Sequence, residues 1–172
     1  LTETIAGSSV EHLLEIMIVN SDNTAWDTLN SYLTYPGVQE YAHSIGLTSF
    51  DSHVNSITSD DIANILNQIY NGSLLNAADR DLLLGWMKIA NYRQYVVPAV
   101  PADDTIYHKI GLYADNVHDA TIITHGSSQL ILVIYTSGSD IAGRPGVMQS
   151  IATDAIADFL PTSASPSPSP SQ

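Results

Sequence analysis

The sequence predicts an α+β fold: about five amphipathic helices, three short β-rich runs joined by turns, and one final helix. Three observations carry this expectation. Apolar residues recur at helical spacing through the first half of the chain. Residues 106–113, 120–124 and 130–136 are rich in β-branched and aromatic side chains and are separated by turn residues, as antiparallel neighbours would be. Helical spacing then returns over residues 146–160. At 172 residues with 44% apolar content, the chain is long enough for one domain with its own core.

In chain order, Ser8-Ser9-Val10-Glu11 has the form of a capping box, with Ser8 as the cap and Glu11 three residues on. The helix it opens carries Val10, Leu13, Leu14, Met17 and Ile18 and stops at the polar Asn20-Ser21-Asp22-Asn23. A second helix follows through Trp26, Leu29 and Leu33. The third starts near Pro36 and closes at Gly46, in the usual order of proline first and glycine last. Thr58 caps the fourth, whose Ile62, Ile65, Leu66 and Ile69 fall on one face, and Gly72 ends it. Asn76 caps the fifth, through Leu82, Leu83, Trp86 and Met87. The last helix is expected to place Val147, Ile151, Ala155 and Phe159 on its apolar side. Residues 161–172 are mostly alternating Ser and Pro, which neither pair a backbone nor bury a core, so a domain over 1–160 with an extended tail is expected. The chain begins with Leu1 and reads as a piece of something longer.

Composition excludes several functions. A net charge of −13, with five Lys and Arg in all, cannot neutralise a phosphate backbone or dock on an anionic membrane. No cysteine is present, which removes disulfides, thiol catalysis and Cys-ligated zinc. The longest aliphatic run, Leu130-Ile131-Leu132-Val133-Ile134, falls far short of the roughly 20 residues of a membrane helix. His108, His118 and His125 lie on or beside neighbouring strands, but their spacing fits no standard zinc pattern, so no metal or other cofactor is expected.

Two segments draw attention as chemistry. Ser21-Asp22-Asn23 lies between two amphipathic helices, where the plain reading is N-capping of the second. His108-Lys109-Ile110-Gly111 lies in an otherwise apolar strand. Alternation there puts Tyr107, Lys109, Gly111 and Tyr113 on one face, and Gly111 would let a ligand or another backbone approach. Lys109 is one of two lysines in the chain, and an acidic protein that binds a carboxylate needs a placed cation.

Taken together, these segments resemble the Ser-Asp-Asn and Lys-Thr-Gly motifs of the class A serine β-lactamase and penicillin-binding protein superfamily. The resemblance covers roughly residues 5–160. Residues 10–29 resemble the family's motif-bearing helix pair, and 58–87 its following helices, with Trp86-Met87 at the end. Residues 108–123, including Val117-His118-Asp119-Ala120, resemble the Lys-Thr-Gly strand, its turn and the next strand; 130–138 and the last helix resemble the final strand and packing helix. The implied fold is β-lactamase/transpeptidase-like, a helical part beside an antiparallel sheet.

The implied chemistry is acyl transfer through a serine ester. Ser21 would relay a proton to the leaving nitrogen, Lys109 would hold the Ser21 hydroxyl and attract a substrate carboxylate, and Asn23 would bond the substrate's acylamide. Gly111 and the position of Ile110 would border the substrate, and the Leu112 amide would form half of an oxyanion hole. The implied partner is a β-lactam or a cell-wall peptide. The implied setting is extracytoplasmic and bacterial, with the protein a monomer.

Four departures from the family pattern bear on activity. Residues Gly85 and Ile106 stand three before the two lysines, so the family's nucleophilic Ser-x-x-Lys is absent, and two strands of its sheet have no counterpart. Ile110 replaces the hydroxyl of Lys-Thr-Gly. Residues 47–57, where class A enzymes carry a glutamate for deacylation, contain none, with Asp51 and His53 as titratable substitutes. The arginine nearest the sheet, Arg144, lies beyond the last strand. Three functions stay open: a β-lactamase-like hydrolase, a penicillin-binding peptidase-like protein that releases β-lactams slowly, and a non-catalytic cell-wall-binding module.

Overall fold

The computed structural model describes residues 1–160; the Ser/Pro-rich tail lies outside them. Two short strands, β1 (Thr4–Ile5) and β2 (Ser8–Ser9), pair as a small hairpin and lead into α1 (Val10–Asn20). Helices α2 (Asn23–Leu33), α3 (Tyr35–Ser44), α4 (Ser59–Tyr70) and α5 (Ala77–Ile89) follow. The sheet is β3 (Thr105–Tyr113), β4 (Asn116–His125) and β5 (Ser128–Thr136), antiparallel in the order β3-β4-β5, and α6 (Arg144–Phe159) closes the described chain.

Local chemistry accounts for most of the helix starts. Asp22, Thr58 and Asn76 each accept a first-turn amide of α2, α4 and α5, caps that contribute about 1 kcal/mol each. The first helix departs from the expected box. Ser8 pairs with Ile5 in the hairpin, and Ser9 is the cap, accepting from the His12 amide at 3.2 Å. The β1–β2 hairpin places the Glu3 carbonyl where it accepts the Val10 amide, at 2.8 Å, which fixes the helix start one residue later than the box implies.

The sheet separates two apolar cores. On one side, Ile106, Ile110, Val117, Ile123 and Ile134 pack with Met148, Ala152, Ile156 and Leu160 at α6. On the other, Ile122 packs with Leu66 and Ile69 of α4 and Leu84 and Met87 of α5. Ile122 and Ile123 are both fully buried, one into each core, the alternation a doubly covered strand requires. Helix α6 corrects the expected face. Val147, Ile151 and Phe159 are 53%, 42% and 70% exposed, and the buried stripe is Met148, Ala152, Ile156 and Leu160, one position further on. The helix starts at Arg144, earlier than expected, and its orientation is set by anchoring of that residue to the sheet.

Candidate active site

Ser21 is the first residue of a two-residue joint, Ser21-Asp22, between α1 and α2. Helix α1 ends at it, with φ 54° and ψ 43° and its amide donating to the Ile16 carbonyl, and Asp22 immediately caps α2 through the Ala25 amide at 2.8 Å. A left-handed conformation at a non-glycine residue costs about 1–2 kcal/mol, so the surrounding structure imposes it. Packing of Leu13 on α1 against Ala25 and Leu29 on α2 supplies the constraint. The plain reading of the tripeptide therefore holds for Asp22 and not for Ser21. Asn23 is the first residue of α2 and is exposed.

Lys109 lies in the middle of β3, where buried Ile106, His108 and Ile110 alternate with the less buried Tyr107, Lys109 and Gly111. Its ammonium donates to the Ser21 hydroxyl and, at 2.8 Å, to the Ile110 carbonyl. Burial pushes the lysine pKa below its ordinary value, and the charge of Asp119 opposes that shift in part. The result is an ammonium that yields its proton more readily than an exposed lysine and already touches a hydroxyl.

The two motif segments are joined by residues that sequence reasoning did not single out. The Asn91 amide donates to the Val19 carbonyl at 2.8 Å, and its side chain donates to Asn20 Oδ1 at 2.8 Å. One residue earlier, the Ala90 carbonyl accepts from His108 Nε2 at 3.1 Å. The exit of α5 thus ties the last turn of α1 to β3 on either side of the Ser21–Lys109 contact. The signal in the sequence was an Asn just past a helix end, which reads equally well as a turn residue.

The other expected site residues are placed as follows. The Ile110 side chain is 5% exposed and belongs to the core against α6. The Ile110 backbone carbonyl meets the site directly, accepting from Lys109. Gly111 is exposed, and a Cβ there would meet His118 Cβ at 3.7 Å, an ordinary contact. Packing within the chain therefore gives no reason for glycine at this position. Leu112 lies opposite Val117, with its side chain 46% exposed.

The three strand histidines do not converge. His108 meets Asp119, His118 stacks on Tyr135 with ring centroids 4.2 Å apart, and His125 meets Asp104 at 2.5 Å. Desolvation and the nearby Arg144 charge hold His118 below the ordinary histidine pKa, partly offset by a hydrogen bond to the Val117 backbone. Arg144 is 6% exposed; it donates to Thr136 Oγ1 and to the Gly138 carbonyl, each at 2.6 Å, and so secures the end of the sheet. Among the described residues, no cluster of three or more acidic or histidine side chains could hold a metal. No helix there is long and apolar enough to cross a membrane. In residues 47–57, the Asp51 carboxylate accepts the His53 amide at 2.8 Å.

Comparison with known proteins agrees with this architecture. A family model described as the beta-lactamase enzyme family matches residues 3–159. The fold is similar to that of a β-lactamase from Desulfarculus baarsii (TM-score 0.81, 23% identity, covering 92% of this chain and 66% of that one). It is also similar to a β-lactamase from Xanthomonas campestris pv. campestris (TM-score 0.80, 24% identity, 90% and 65% covered) and to PBP-A (TM-score 0.77, 19% identity, 89% and 62% covered). The chain thus spans about two thirds of the length of these structures or slightly less. No curated protein sequence matches it.

Proposed function

The chain belongs to the beta-lactamase enzyme family, and from that premise we propose that it supplies the proton-relay half of a serine hydrolase acting on β-lactams or related cell-wall amides. The observation that carries this reading is the hydrogen bond from the Lys109 ammonium to the Ser21 hydroxyl. The reaction is the attack of a serine oxygen on the amide carbonyl carbon and cleavage of the C–N bond. The departing nitrogen takes the Ser21 proton, Lys109 replaces it, and the proton released by the attacking hydroxyl restores Lys109, so one proton moves from nucleophile to leaving group overall. Water then splits the ester.

In this reading Lys109 also draws the substrate carboxylate, Asn23 bonds the acylamide, and the Leu112 amide donates to the oxyanion. Gly111 keeps the strand edge open beside the lysine, which gives a ligand-based reason for a glycine that the chain's own packing does not require. No Ser-x-x-Lys lies among residues 1–172, because Gly85 and Ile106 stand three residues before the two lysines. In this reading the protein works outside the cytoplasm as a monomer.

A second reading is favoured by one observation: residues 47–57 contain no glutamate, and Asp51 there is engaged with its own loop. Under that reading the protein is a penicillin-binding peptidase type that acylates and releases slowly. Intact-mass spectrometry of the protein expressed from its full reading frame, followed over time after addition of a penicillin, tests both. A transient adduct with loss of drug supports the hydrolase, and a lasting adduct supports the slow-release type. No adduct at high drug concentration, with the protein folded, contradicts both.

A further inference from the structure

On the Lys109 face of the sheet, the row next to the lysine consists of Gly111, His118 and Tyr135, one from each strand. In the lysine's own row, Ala120 and Val133 pack against the α4 and α5 side chains. The next row is open: Gly111 is exposed and Tyr135 is 38% exposed. His118 is the diagonal neighbour of Lys109 in this register, a relationship that sets β-carbons about 7–8 Å apart on one face.

Two contacts fix the His118 ring. It stacks on Tyr135, with centroids 4.2 Å apart and planes 30° apart, and its Nδ1 accepts the Thr136 amide at 3.2 Å. Thr136 is itself held, because its hydroxyl donates to the Val117 carbonyl and accepts from Arg144, each at 2.6 Å. A ring nitrogen that accepts an amide proton carries none, so the proton of the neutral ring is on Nε2. Burial and the Arg144 charge hold the ring below its ordinary pKa of 6.5, which keeps it neutral at neutral pH. Nε2 has no partner among the described residues, and none of their buried side-chain nitrogens or oxygens lacks one, so this N–H reaches solvent. It opens beside Gly111. A β-carbon there would lie 4.0 Å from Cδ2, the ring carbon bonded to Nε2, and would shield this edge.

We propose that His118 is a second anchor for the substrate carboxylate: its Nε2–H, left uncovered by Gly111, donates to one oxygen while the Lys109 ammonium attracts the other. The proposal rests on the reading of Ser21 and Lys109 as the site of a serine hydrolase. It also meets a shortage of donors. The Ile110 side chain lies in the core, and Arg144 is engaged at the end of the sheet. A neutral ring donor beside a cation serves both carboxylate oxygens without placing a second charge in a half-buried site.

The test compares benzylpenicillin with its methyl ester, which lacks the anion, on the protein expressed from its full reading frame. Intact mass gives the acylation rate for each. The ratio of acid to ester rates should fall about tenfold in His118→Phe, which keeps a stacked ring and loses a hydrogen bond to a charged group. His118→Gln, which supplies an N–H again, should recover much of that ratio. An unchanged ratio in folded His118→Phe overturns the proposal. A second measurement needs no variant. The His118 ring signals of isotope-labelled protein should shift on addition of benzylpenicillin and not of the ester; equal shifts, or none, overturn the proposal. The two readings fail separately. An adduct with an unchanged ratio keeps the site and removes His118 from it. No adduct, with ring signals that move for the acid alone, removes the hydrolase and keeps the carboxylate anchor.

Discussion

Lys109 and Ser21 stand 88 residues apart in the chain, and the ammonium of one donates to the hydroxyl of the other. The contact joins a strained helix joint to the middle of a sheet strand, and the turn at Ala90–Asn91 ties both sides together. Neither residue needs this partner for its local structure. Ser21 pays for its left-handed backbone, and Lys109 interrupts an apolar strand, so both break local preference at the same place.

The strain at Ser21 is measurable in residues 1–172. Ser21→Gly and Ser21→Ala both remove the hydroxyl, but only glycine adopts φ 54° without penalty. The glycine variant should be more stable than the alanine variant by about 1 kcal/mol in urea unfolding. The reverse order would contradict the left-handed joint.

Ile110→Thr would restore the family's hydroxyl, but into the core formed by Val117, Ile134 and Met148. The expected result is a loss of about 1–3 kcal/mol of stability. Binding of a β-lactam should not improve. A tighter complex at unchanged stability would show that this side chain faces the substrate after all.

His118 fixes a pH dependence. Its folded pKa lies below the ordinary value of 6.5, so the unfolded chain binds more protons in the window beneath 6.5. The stability associated with neutral His118 is present above 6.5 and is lost as pH falls toward the lower folded value. Unfolding midpoints at pH 7.5 and pH 5.5, compared between the natural protein and His118→Gln, measure it. The variant should lose less stability on acidification; an equal loss in both would remove His118 as the cause.

Much of this was legible in the sequence because the signals are local. Thr58, Asn76 and Asp22 cap helices by reaching three residues ahead, and the spacing of Ile62, Leu66 and Ile69 reports one face directly. The motif pair was legible because Lys109 stands out in an apolar strand. What stayed hidden depends on register. Strand β4 begins at Asn116 rather than Ala120, and only that longer pairing sets Asp119 opposite Ile110, on the same face as His108. With the strand begun at 120, Asp119 reads as a turn residue. The buried stripe of α6 was hidden for a similar reason: Val147 and Met148 offer two adjacent apolar rows, and anchoring of Arg144 to Thr136 and Gly138 decides which row faces the sheet.

The most direct measurement of the central claim is the acylation rate of the protein expressed from its full reading frame, with and without Lys109→Ala. Intact mass after mixing with a penicillin gives the rate for each, and circular dichroism confirms that the variant is folded. If Lys109 supplies the proton that Ser21 relays, the variant should acylate at least about 10²-fold more slowly. Equal rates in two folded proteins would contradict the relay and remove the function assigned to this pair.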